Sequence, residues 1–540
     1  MESRDEADFP LAHVRERMRR GATLAAAVAD VARAERRPVA PLLAAARSHA
    51  DLVATPGATR VCRGTSCELR GAAAVAEALS HDGPVRTAYC VGYCHVSPAL
   101  LDAAGEVRAG VAASRILGDL ARPSALPPAP RVESLGPEPI VTRRIGRGDF
   151  SPLPKARADG AYRALARALS LGAEKVLGEL ERSGERGRGG AGFPTATKWR
   201  RAAAAADPVK VVIANGDEGD PGSFVDRVLL ERDPHGVLEG LALSALAVGA
   251  QRGIVFIRSE YPRALLRMRE AVAEAERAGI LGERLAGEGP RFDVDVVEGF
   301  GSYVCGEETA LIAALEGGRG EVCPRPPYPA ERGLFGHPTV VNNVETLVNV
   351  PWIVERGGDA FAAIGTKYSN GTKALCLNAG FANPGIVEVP FGWSLRDVIQ
   401  DWGATSCDDS ELAGVLVGGP MGSFVLPAEC DVTLCWAALA QRGIRLGHGG
   451  LVAVPRGTDL AALATHLLRF MSVESCGRCL PCRSGSAHAL GLAEADLPRN
   501  AAEIRSVLDV MHAASLCAFG RETPGPVQAL IEGSLRSGAA

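Results

Sequence analysis

The chain has 540 residues, 47% hydrophobic and 23% charged, a composition typical of a soluble protein with about three or four domains. Its formal net charge of −4 gives no electrostatic reason to expect nucleic acid as a partner. The apolar stretches are shorter than the roughly 20 residues that span a bilayer, and the first residues lack an export signal. We therefore expect a cytoplasmic protein that reaches a membrane only through partner subunits, without inserting into it.

The sequence pattern predicts a multidomain α/β chain. Six prolines between residues 122 and 139 are typical of an extended linker with few contacts. Further on, β-branched runs at Val209–Ala214 and Gly253–Ile257 alternate with helices at Ala161–Arg182 and Arg263–Arg277, which favours a parallel sheet covered by helices. We divide the chain into a small α/β module (1–121), the linker (122–139), an α/β domain (140–366), a β-grasp-like module of short strands (367–455) and a helical region (456–540).

Fourteen cysteines in a chain without an export signal indicate metal ligands rather than disulfides. Cys476, Cys479 and Cys482 have C-x₂-C-x₂-C spacing in a tight turn, and Cys517 follows in the next helical hairpin. Three close thiolates and a remote fourth are typical of a [4Fe–4S] cluster. The alternatives are zinc, which more often uses two separated C-x₂-C pairs, and inert buried thiols.

A glycine loop within residues 187–199 formally matches G-x-G-x-x-G; its glycines are Gly187, Gly189, Gly190 and Gly192. A helix over Lys175–Glu185 precedes it instead of a strand, so the classical dinucleotide fingerprint fails. We expect a phosphate site, because backbone N–H groups at glycines approach an anion closely and Lys198 and Arg188 add positive charge. The alternative is a flexible surface loop.

Three further loops of the α/β domain are rich in polar side chains. They hold Asn215, Asp217 and Asp220 after a strand, Tyr303, Glu307 and Glu308 at a helix start, and Asn342, Asn343 and Thr346 in a segment with paired amides. Ligands bind at the carboxyl ends of strands in α/β proteins, and a helix start favours carboxylates. Each loop alone could be a solvated turn, but four polar loops in one domain indicate a single nucleotide pocket.

Five motifs together carry a family resemblance: RGRGGAGFPTATKW, NGDEGDPGSFVDR, YVCGEETAL, VNNVET and ESCGRCLPCRSG. In this order, over residues 140–540, they resemble the flavin-carrying, NADH-oxidising subunit of respiratory complex I and its relatives in NAD-dependent formate dehydrogenases and NAD-reducing hydrogenases. The resemblance implies a Rossmann-like FMN-binding α/β domain, a β-grasp insert of the SLBB type, and a C-terminal helical bundle with a [4Fe–4S] cluster.

The resemblance also assigns roles to single residues. On matching positions, FMN would be surrounded by Gly187, Gly189, Lys198, Asn215, Asp217, Tyr303, Glu307, Asn342, Asn343 and Thr346. Gly190 and Gly192 of the same loop are counted with the cofactor-binding residues. For the dinucleotide NAD(H), Phe193 would stack on the adenine and Glu308 would lie near the nicotinamide ribose. Asp220 would help to position the ligands. Arg325 and Tyr328 stand where Lys and Phe are common, which keeps charge and ring but could shift the dinucleotide preference.

The N-terminal module carries two cysteine pairs, Cys62 with Cys67 and Cys90 with Cys94. Their C-x₄-C and C-x₃-C spacings resemble the thioredoxin-like [2Fe–2S] subunit of the same complexes, which implies a [2Fe–2S] cluster held by these four thiols. The alternative is a degenerate thioredoxin-like fold used for docking, with its thiols free or bound to zinc. The other six cysteines have no ligand spacing, and we expect them to pack as small hydrophobic side chains.

These features predict an electron-transfer flavoprotein subunit. It would exchange a hydride between NAD(H) and FMN and pass single electrons through iron–sulfur clusters to other iron–sulfur and catalytic subunits. Asp220 and Glu308 would position ligands, and no catalytic triad is expected. Fusion of the [2Fe–2S]-like module favours a formate dehydrogenase- or hydrogenase-type complex over a complex I-type NADH:quinone oxidoreductase. A docking subunit with degenerate cofactor sites is the alternative of another class.

Overall fold

The computed structural model describes residues 9–55, 57–120, 126–147, 150–408 and 410–538. The first residues of the predicted N-terminal module and residues 122–125 of the predicted linker lie outside them. Multidomain α/β architecture and a helical C-terminal region, both predicted from the sequence, are confirmed. Within the described part of the chain, no helix has the length and the apolar character needed to cross a membrane.

The N-terminal part combines a helical cluster with a four-stranded mixed sheet. Its helices are α1 (Pro10–Arg19), α2 (Leu24–Ala34), α3 (Val39–Ser48), α4 (Ala50–Val53), α5 (Thr65–Glu68), α6 (Ala72–Ser80) and α7 (Ile116–Leu120), and its strands are β1 (Thr59–Cys62), β2 (Val85–Ala88), β3 (Ala99–Leu101) and β4 (Val107–Ala109). The sheet order is β2-β1-β3-β4, with β1 and β2 parallel and the other neighbours antiparallel. A separate strand, β5 (Arg131–Ser134), follows.

The central part is an α/β domain with a parallel sheet. Its elements are α8 (Leu153–Ala158), α9 (Arg163–Leu171), α10 (Ala173–Ser183), α11 (Thr195–Ala204), β6 (Val211–Gly216), α12 (Val225–Arg232), α13 (Pro234–Val248), β7 (Arg252–Ile257), α14 (Pro262–Arg277), β8 (Asp293–Glu298), α15 (Glu308–Leu315), β9 (Thr339–Asn343), α16 (Val344–Arg356) and α17 (Gly358–Ala362). The four strands run parallel in the order β8-β7-β6-β9. The connection order reverses between β6 and β9, and such a switch point opens a crevice at the carboxyl ends of the strands.

Residues 365–455 form strands with short helices. The elements are β10 (Gly365–Thr366), β11 (Ser369–Asn370), β12 (Thr372–Leu377), β13 (Gly385–Pro390), α18 (Leu395–Asp397), β14 (Leu412–Val417), β15 (Ser423–Val425), α19 (Trp436–Gln441) and β16 (Gly450–Pro455). The main sheet has the order β15-β14-β16-β12-β13-β5. Its edge strand β5 comes from the predicted linker, whose extended, proline-flanked backbone pairs in parallel with β13. This part of the linker therefore makes contacts that the proline count did not predict.

The C-terminal region consists of α20 (Leu460–Glu474), α21 (Leu480–Ala514), α22 (Ala518–Glu522) and α23 (Pro524–Gly538). Asp496 leaves helical geometry at φ −171°, two residues before Pro498, so α21 is two helical segments. Another helix is also divided: the predicted helix over Ala161–Arg182 is α9 and α10, because Gly172 adopts φ +84° and turns the chain between them.

Candidate functional site

A cavity of about 610 Å³ opens at the carboxyl ends of β6 and β9, where the sheet order reverses. Eight of the residues predicted to bind FMN or NAD(H) line it: Gly189, Gly190, Asn215, Asp217, Asp220, Tyr303, Glu307 and Asn343. The opposite wall comes from the module of short strands, and α22 of the C-terminal region closes a third side. Three separate parts of the chain thus build one pocket of the size that small-molecule sites have.

The glycine loop approaches two other segments of the chain closely, so that side chains on its glycines would be crowded. A Cβ atom on Gly189 would lie 3.1 Å from the Cβ of Asn343, and one on Gly190 would lie 3.2 Å from the carbonyl carbon of Gly447. Gly190 also has φ +107°, which L side chains rarely adopt. The loop is therefore a bare-backbone wall of the cavity, as a site for an anionic group requires.

Arg188 does not face the cavity as an anion-binding cation, contrary to the sequence-based expectation. Its guanidinium is 1% exposed and forms a two-pronged ion pair with Glu185, and one of its nitrogens donates to the Asn370 carbonyl at 3.0 Å. Its backbone N–H donates to the Thr346 hydroxyl at 2.8 Å. Arg188 therefore fixes the loop from behind and ties it to the start of α16.

The remaining predicted residues surround the cavity at a distance or lie at the surface. Lys198 donates to the Val341 carbonyl at 2.9 Å and pairs with Glu308 at 3.0 Å, and Arg325 pairs with the same carboxylate at 2.9 Å. The rings of Phe193 and Tyr328 are about half exposed. The other predicted residues outside the cavity wall are Gly187, Gly192, Asn342 and Thr346.

Buried carboxylates dominate the polar lining. Burial raises the pKa of Asp217 and Asp220, and burial together with the neighbouring Asp226 raises the pKa of Glu218 to about 7. The Tyr303 hydroxyl donates to Asp220. Asp217 Oδ2 and Glu307 Oε1 are buried and have no hydrogen bond within the described residues.

Several lining residues were not found from the sequence. His448 and Trp436 come from the module of short strands, and Phe519 and Glu522 come from the C-terminal region. They lie far from the glycine loop in sequence and match no motif, although the Gly447-His448-Gly449-Gly450 turn is a local signal that could have been noticed. Packing between modules brings them to the site.

The four C-terminal cysteines are brought together. Cys476, Cys479 and Cys482 lie where α20 passes into α21, and Cys517 precedes α22. Burial and the charges of the other three thiols raise the pKa of Cys482 to about 12, as expected for clustered thiols. In the part of the chain that the structure describes, no three of these sulfurs lie within 4.8 Å of one another. A single zinc ion would hold four sulfurs about 3.8 Å apart, so the wider arrangement suits a cluster better. Cys517 also lines the cavity.

The four N-terminal cysteines form two close pairs. Cys67 and Cys62 share a hydrogen bond that lowers the pKa of Cys62 to about 7, and the sulfurs of Cys90 and Cys94 are 3.7 Å apart. Among the described residues, no third sulfur joins either pair within 4.8 Å. Two separate pairs of thiols can each bind one iron of a two-iron cluster, whereas a single zinc ion would need all four thiols around it. Cys94 accepts a hydrogen bond from the Gly222 N–H at 3.4 Å, which places this set behind the acidic loop of the cavity.

Comparisons with known proteins identify related regions. A family model described as the Nuo51 FMN-binding domain matches residues 180–352, and one described as the NADH-ubiquinone oxidoreductase-F iron-sulfur binding region matches residues 462–533. The chain is 40% identical over 402 residues to the NADP-reducing hydrogenase subunit HndC of Solidesulfovibrio fructosivorans, covering 73% of this chain and 81% of that protein. It is 36% identical over 401 residues to the mitochondrial NADH dehydrogenase (ubiquinone) flavoprotein 1 of Dictyostelium discoideum, covering 73% of this chain and 84% of that protein.

A solved structure resembles nearly the whole chain. It is a crystal structure of an NAD⁺-reducing [NiFe]-hydrogenase in the H₂-reduced state. The TM-score is 0.83 at 30% sequence identity, and the match covers 98% of this chain and 91% of that one. The resemblance therefore includes the N-terminal part that lies outside both family models.

Proposed function

Because this chain belongs to the family of the NADP-reducing hydrogenase subunit HndC and the mitochondrial NADH dehydrogenase flavoprotein 1, we propose that its cavity is where NAD(H) and FMN exchange a hydride. The chain is an oxidoreductase subunit with an FMN-binding domain and a [4Fe–4S] region. One observation carries the proposal: Cys517 of the C-terminal cysteine set lines the same cavity as the glycine loop and the acidic loop. Flavin and cluster would thus be neighbours.

The residues that would hold FMN are those that the family resemblance assigns, together with Gly190 and Gly192 of the same loop. They are Gly187, Gly189, Gly190, Gly192, Lys198, Asn215, Asp217, Tyr303, Glu307, Asn342, Asn343 and Thr346. The fit rests on Gly189 and Gly190, which line the cavity without side chains of their own, and on the unsatisfied oxygens of Asp217 and Glu307. Thr346 would act through the loop, since its hydroxyl accepts the Arg188 N–H.

When bound, FMN links the two-electron chemistry of a hydride to one-electron transfer, which an iron–sulfur cluster requires. The chain's own residues would orient the bound ligands and shield them. Tyr303 fixes Asp220 through its hydroxyl, and Asn215 donates to the Gly306 carbonyl at 2.8 Å, which holds the start of the Glu307 turn.

The ring of Phe193, which the resemblance assigns to the adenine of the dinucleotide, is about half exposed, as is the ring of Tyr328. An exposed aromatic ring can stack on a purine base. Glu308 lies between Lys198 and Arg325, so its carboxylate is held where it would meet the nicotinamide ribose. The Arg201 guanidinium lies 5.1 Å from the ring centre of Tyr328, so a positive charge lies beside this ring.

The two cysteine sets would hold two clusters. We assign Cys476, Cys479, Cys482 and Cys517 to the [4Fe–4S] cluster, and Cys62, Cys67, Cys90 and Cys94 to a [2Fe–2S] cluster. An aromatic cluster fills the space between the two modules: Phe470 packs against Tyr89 and against Tyr303, with ring centres 5.1 Å apart in both pairs. Tyr89 precedes Cys90, so these aromatic rings connect the N-terminal cysteines to the cavity wall.

The finer domain assignments belong to the same proposal. The mixed four-stranded sheet of the N-terminal module supports a thioredoxin-like fold, the parallel sheet supports a Rossmann-like FMN domain, and the six-stranded mixed sheet supports a β-grasp module of the SLBB type. The predicted boundaries 1–121, 122–139, 140–366, 367–455 and 456–540 are retained. We propose a cytoplasmic location, peripheral to any membrane.

The partners would be other iron–sulfur and catalytic subunits of a multi-subunit oxidoreductase. The hydrogenase structure matches 98% of this chain, so the match includes the N-terminal module. This favours a complex of the hydrogenase or formate dehydrogenase type, in which the N-terminal module is part of the flavoprotein. The close cysteine sets argue against a docking subunit with degenerate sites.

Purified, anaerobically handled protein tests the proposed function. We expect a yellow-brown protein that releases FMN on denaturation, contains iron and reduces an artificial dye with NADH. A colourless protein without flavin or iron, after reconstitution with FMN, iron and sulfide, would refute it. Copurifying subunits would then identify the complex: a molybdenum or tungsten subunit indicates formate, and a nickel–iron subunit indicates hydrogen.

A further inference from the structure

His448 lies where two modules meet at the cavity. It sits on the turn that leads into β16, with Gly447 before it and Gly449 after it. The side chain is 5% exposed and lines the cavity. The turn lies against the glycine loop, since a Cβ atom on Gly190 would meet the Gly447 carbonyl carbon at 3.2 Å and the His448 nitrogen at 3.5 Å.

The imidazole faces two buried carboxylates of the α/β domain. Its Nε2 lies 2.9 Å from Asp226 Oδ2, and its Nδ1 lies 3.5 Å from Glu218 Oε1. Asn343 Nδ2 lies 3.1 Å from Nε2 and also donates to Asp226, so Asp226 is the acceptor for both groups. Within the described residues, His448 Nδ1 has no hydrogen bond although it is buried.

The charges around His448 hold it in the cationic form. Burial alone would lower the pKa of the imidazole, but the charge and hydrogen bond of Asp226 and the charge of Glu218 outweigh burial and raise the pKa to about 9. Lys373, the nearby cation, acts in the opposite direction. His448 is therefore charged at neutral pH.

The rest of the cavity lining is strongly acidic. Its carboxylates are Asp217, Glu218, Asp220, Asp226, Glu307 and Glu522. Arg445 and His448 are the cationic side chains among the described lining residues, and Arg445 is paired with Glu522. His448 is likewise paired, with Asp226, and it lies next to the glycine loop and Asn343, so its positive charge offsets part of the carboxylate charge on this side of the cavity.

We propose that His448 is the residue through which residues 367–455 place a positive charge at the flavin site and so raise the affinity for FMN and its reduction potential. This inference rests on the proposed function, because it requires FMN in this cavity. FMN carries an anionic phosphate, and its ring takes up electrons on reduction. A nearby cation stabilises both the phosphate and the negative charge that the ring gains on reduction. His448 is a positioning residue in this account, acting through charge.

Four variants separate charge from packing. His448→Gln keeps a donor toward Asp226 and removes the charge, His448→Asn is a smaller neutral variant, and His448→Lys keeps a charge. His337→Gln is the matched control, because His337 pairs with Asp207 at 2.9 Å outside the cavity. Two properties are measured on the purified protein: the dissociation constant for FMN by flavin fluorescence quenching, and the flavin midpoint potential by spectroelectrochemical titration.

Loss of the charge should weaken FMN binding about tenfold in the two neutral variants and make the flavin potential more negative, while His448→Lys and His337→Gln stay close to wild type. Wild-type affinity and potential in the neutral variants would overturn the inference. An equal loss in His448→Lys would also overturn it, because packing rather than charge would then be the cause. Failure of the wild-type protein to bind FMN would instead refute the proposed function itself.

Discussion

Single side chains decide how the glycine loop is presented. Arg188 belongs to the motif, yet its charge is paired with Glu185 inside the protein, where both side chains are almost fully buried. Its backbone N–H and carbonyl bind Thr346 and Lys373 respectively. Arg188 therefore connects the glycine loop to α16 and to β12, and its guanidinium does not face the cavity.

Arg188→Ala should destabilise the protein by roughly 3–5 kcal/mol, because it leaves Glu185 buried without its ion-pair partner. The midpoint of thermal unfolding measures this loss, and FMN affinity should fall with it. Arg200→Ala is the control, since Arg200 makes exposed ion pairs with Glu181 and Glu174 whose loss should cost less than about 1 kcal/mol. Equal effects of the two substitutions would contradict this role for Arg188.

Cys517→Ser should remove iron of the C-terminal set while FMN remains bound, because Cys517 closes the cysteine set but only flanks the flavin cavity. Iron and flavin analyses of the purified variant check this. Cys323→Ser is the matched control: Cys323 is exposed and belongs to neither four-cysteine set. An unchanged iron content in Cys517→Ser would remove this residue from the ligand set.

At the scale of elements, close backbone approach shapes the site. The glycine loop lies close to the turn before β16 and to the end of β9: a Cβ atom on Gly190 would lie 3.2 Å from the Gly447 carbonyl carbon, and one on Gly189 would lie 3.1 Å from the Asn343 Cβ. The π-helical residues Val398–Trp402 and strand β5 are tied together, since Trp402 Nε1 donates to Glu133 at 2.9 Å. Strand β5 thereby fixes the module of short strands to the chain segment that enters the α/β domain.

Gly190→Ala should lower FMN occupancy, because a methyl group at φ +107° would press against the Gly447 turn. Flavin content per chain is the measurement. Gly178→Ala serves as the control: Gly178 lies inside α10 with space for a Cβ atom, so this change should leave occupancy intact and stabilise the helix by about 0.5–1 kcal/mol. Full flavin occupancy in Gly190→Ala would show that the close approach is dispensable.

The sequence predicted the α/β pattern and drew attention to the cavity-lining loops because their signals are local. The strands β6 and β7 follow from apolar runs, and fourteen residues of the five motifs line the cavity. The division of one predicted helix was missed because Gly172 inside a helical pattern carries a weak signal. The contributions of β5 and His448 depend on contacts between distant segments, which no local pattern contains.

At the scale of the whole molecule, the N-terminal module packs on the C-terminal region beside the cavity. His466 of α20 is buried at this contact, with its ring 6.3 Å from that of Tyr89. Burial, helped by the charges of Arg63 and Arg469 and opposed by the charge of Glu68, lowers the pKa of His466 to about 4. His466 is therefore neutral in the folded protein at pH values where it would be protonated in the unfolded chain.

This shift predicts acid sensitivity. The unfolded state binds more protons between the unfolded pKa of about 6.5 and the folded pKa of about 4, so stability falls as the pH decreases through this window. From about pH 7.5 to about pH 5 the loss attributed to His466 is about 2 kcal/mol. His466→Gln should flatten the pH dependence of the thermal midpoint. His488→Gln, on an exposed position of α21, should leave it as in wild type.

The central claim is that one cavity joins NAD(H), FMN and the C-terminal cluster. Anaerobic titration of the purified protein with NADH, followed by flavin absorbance and low-temperature electron paramagnetic resonance, tests it most directly. We expect the flavin absorbance to bleach and a reduced [4Fe–4S] signal to appear in wild type, with bleaching but no such signal in Cys517→Ser. A flavin that NADH does not bleach, or a cluster that stays oxidised while the flavin is reduced, would contradict the claim.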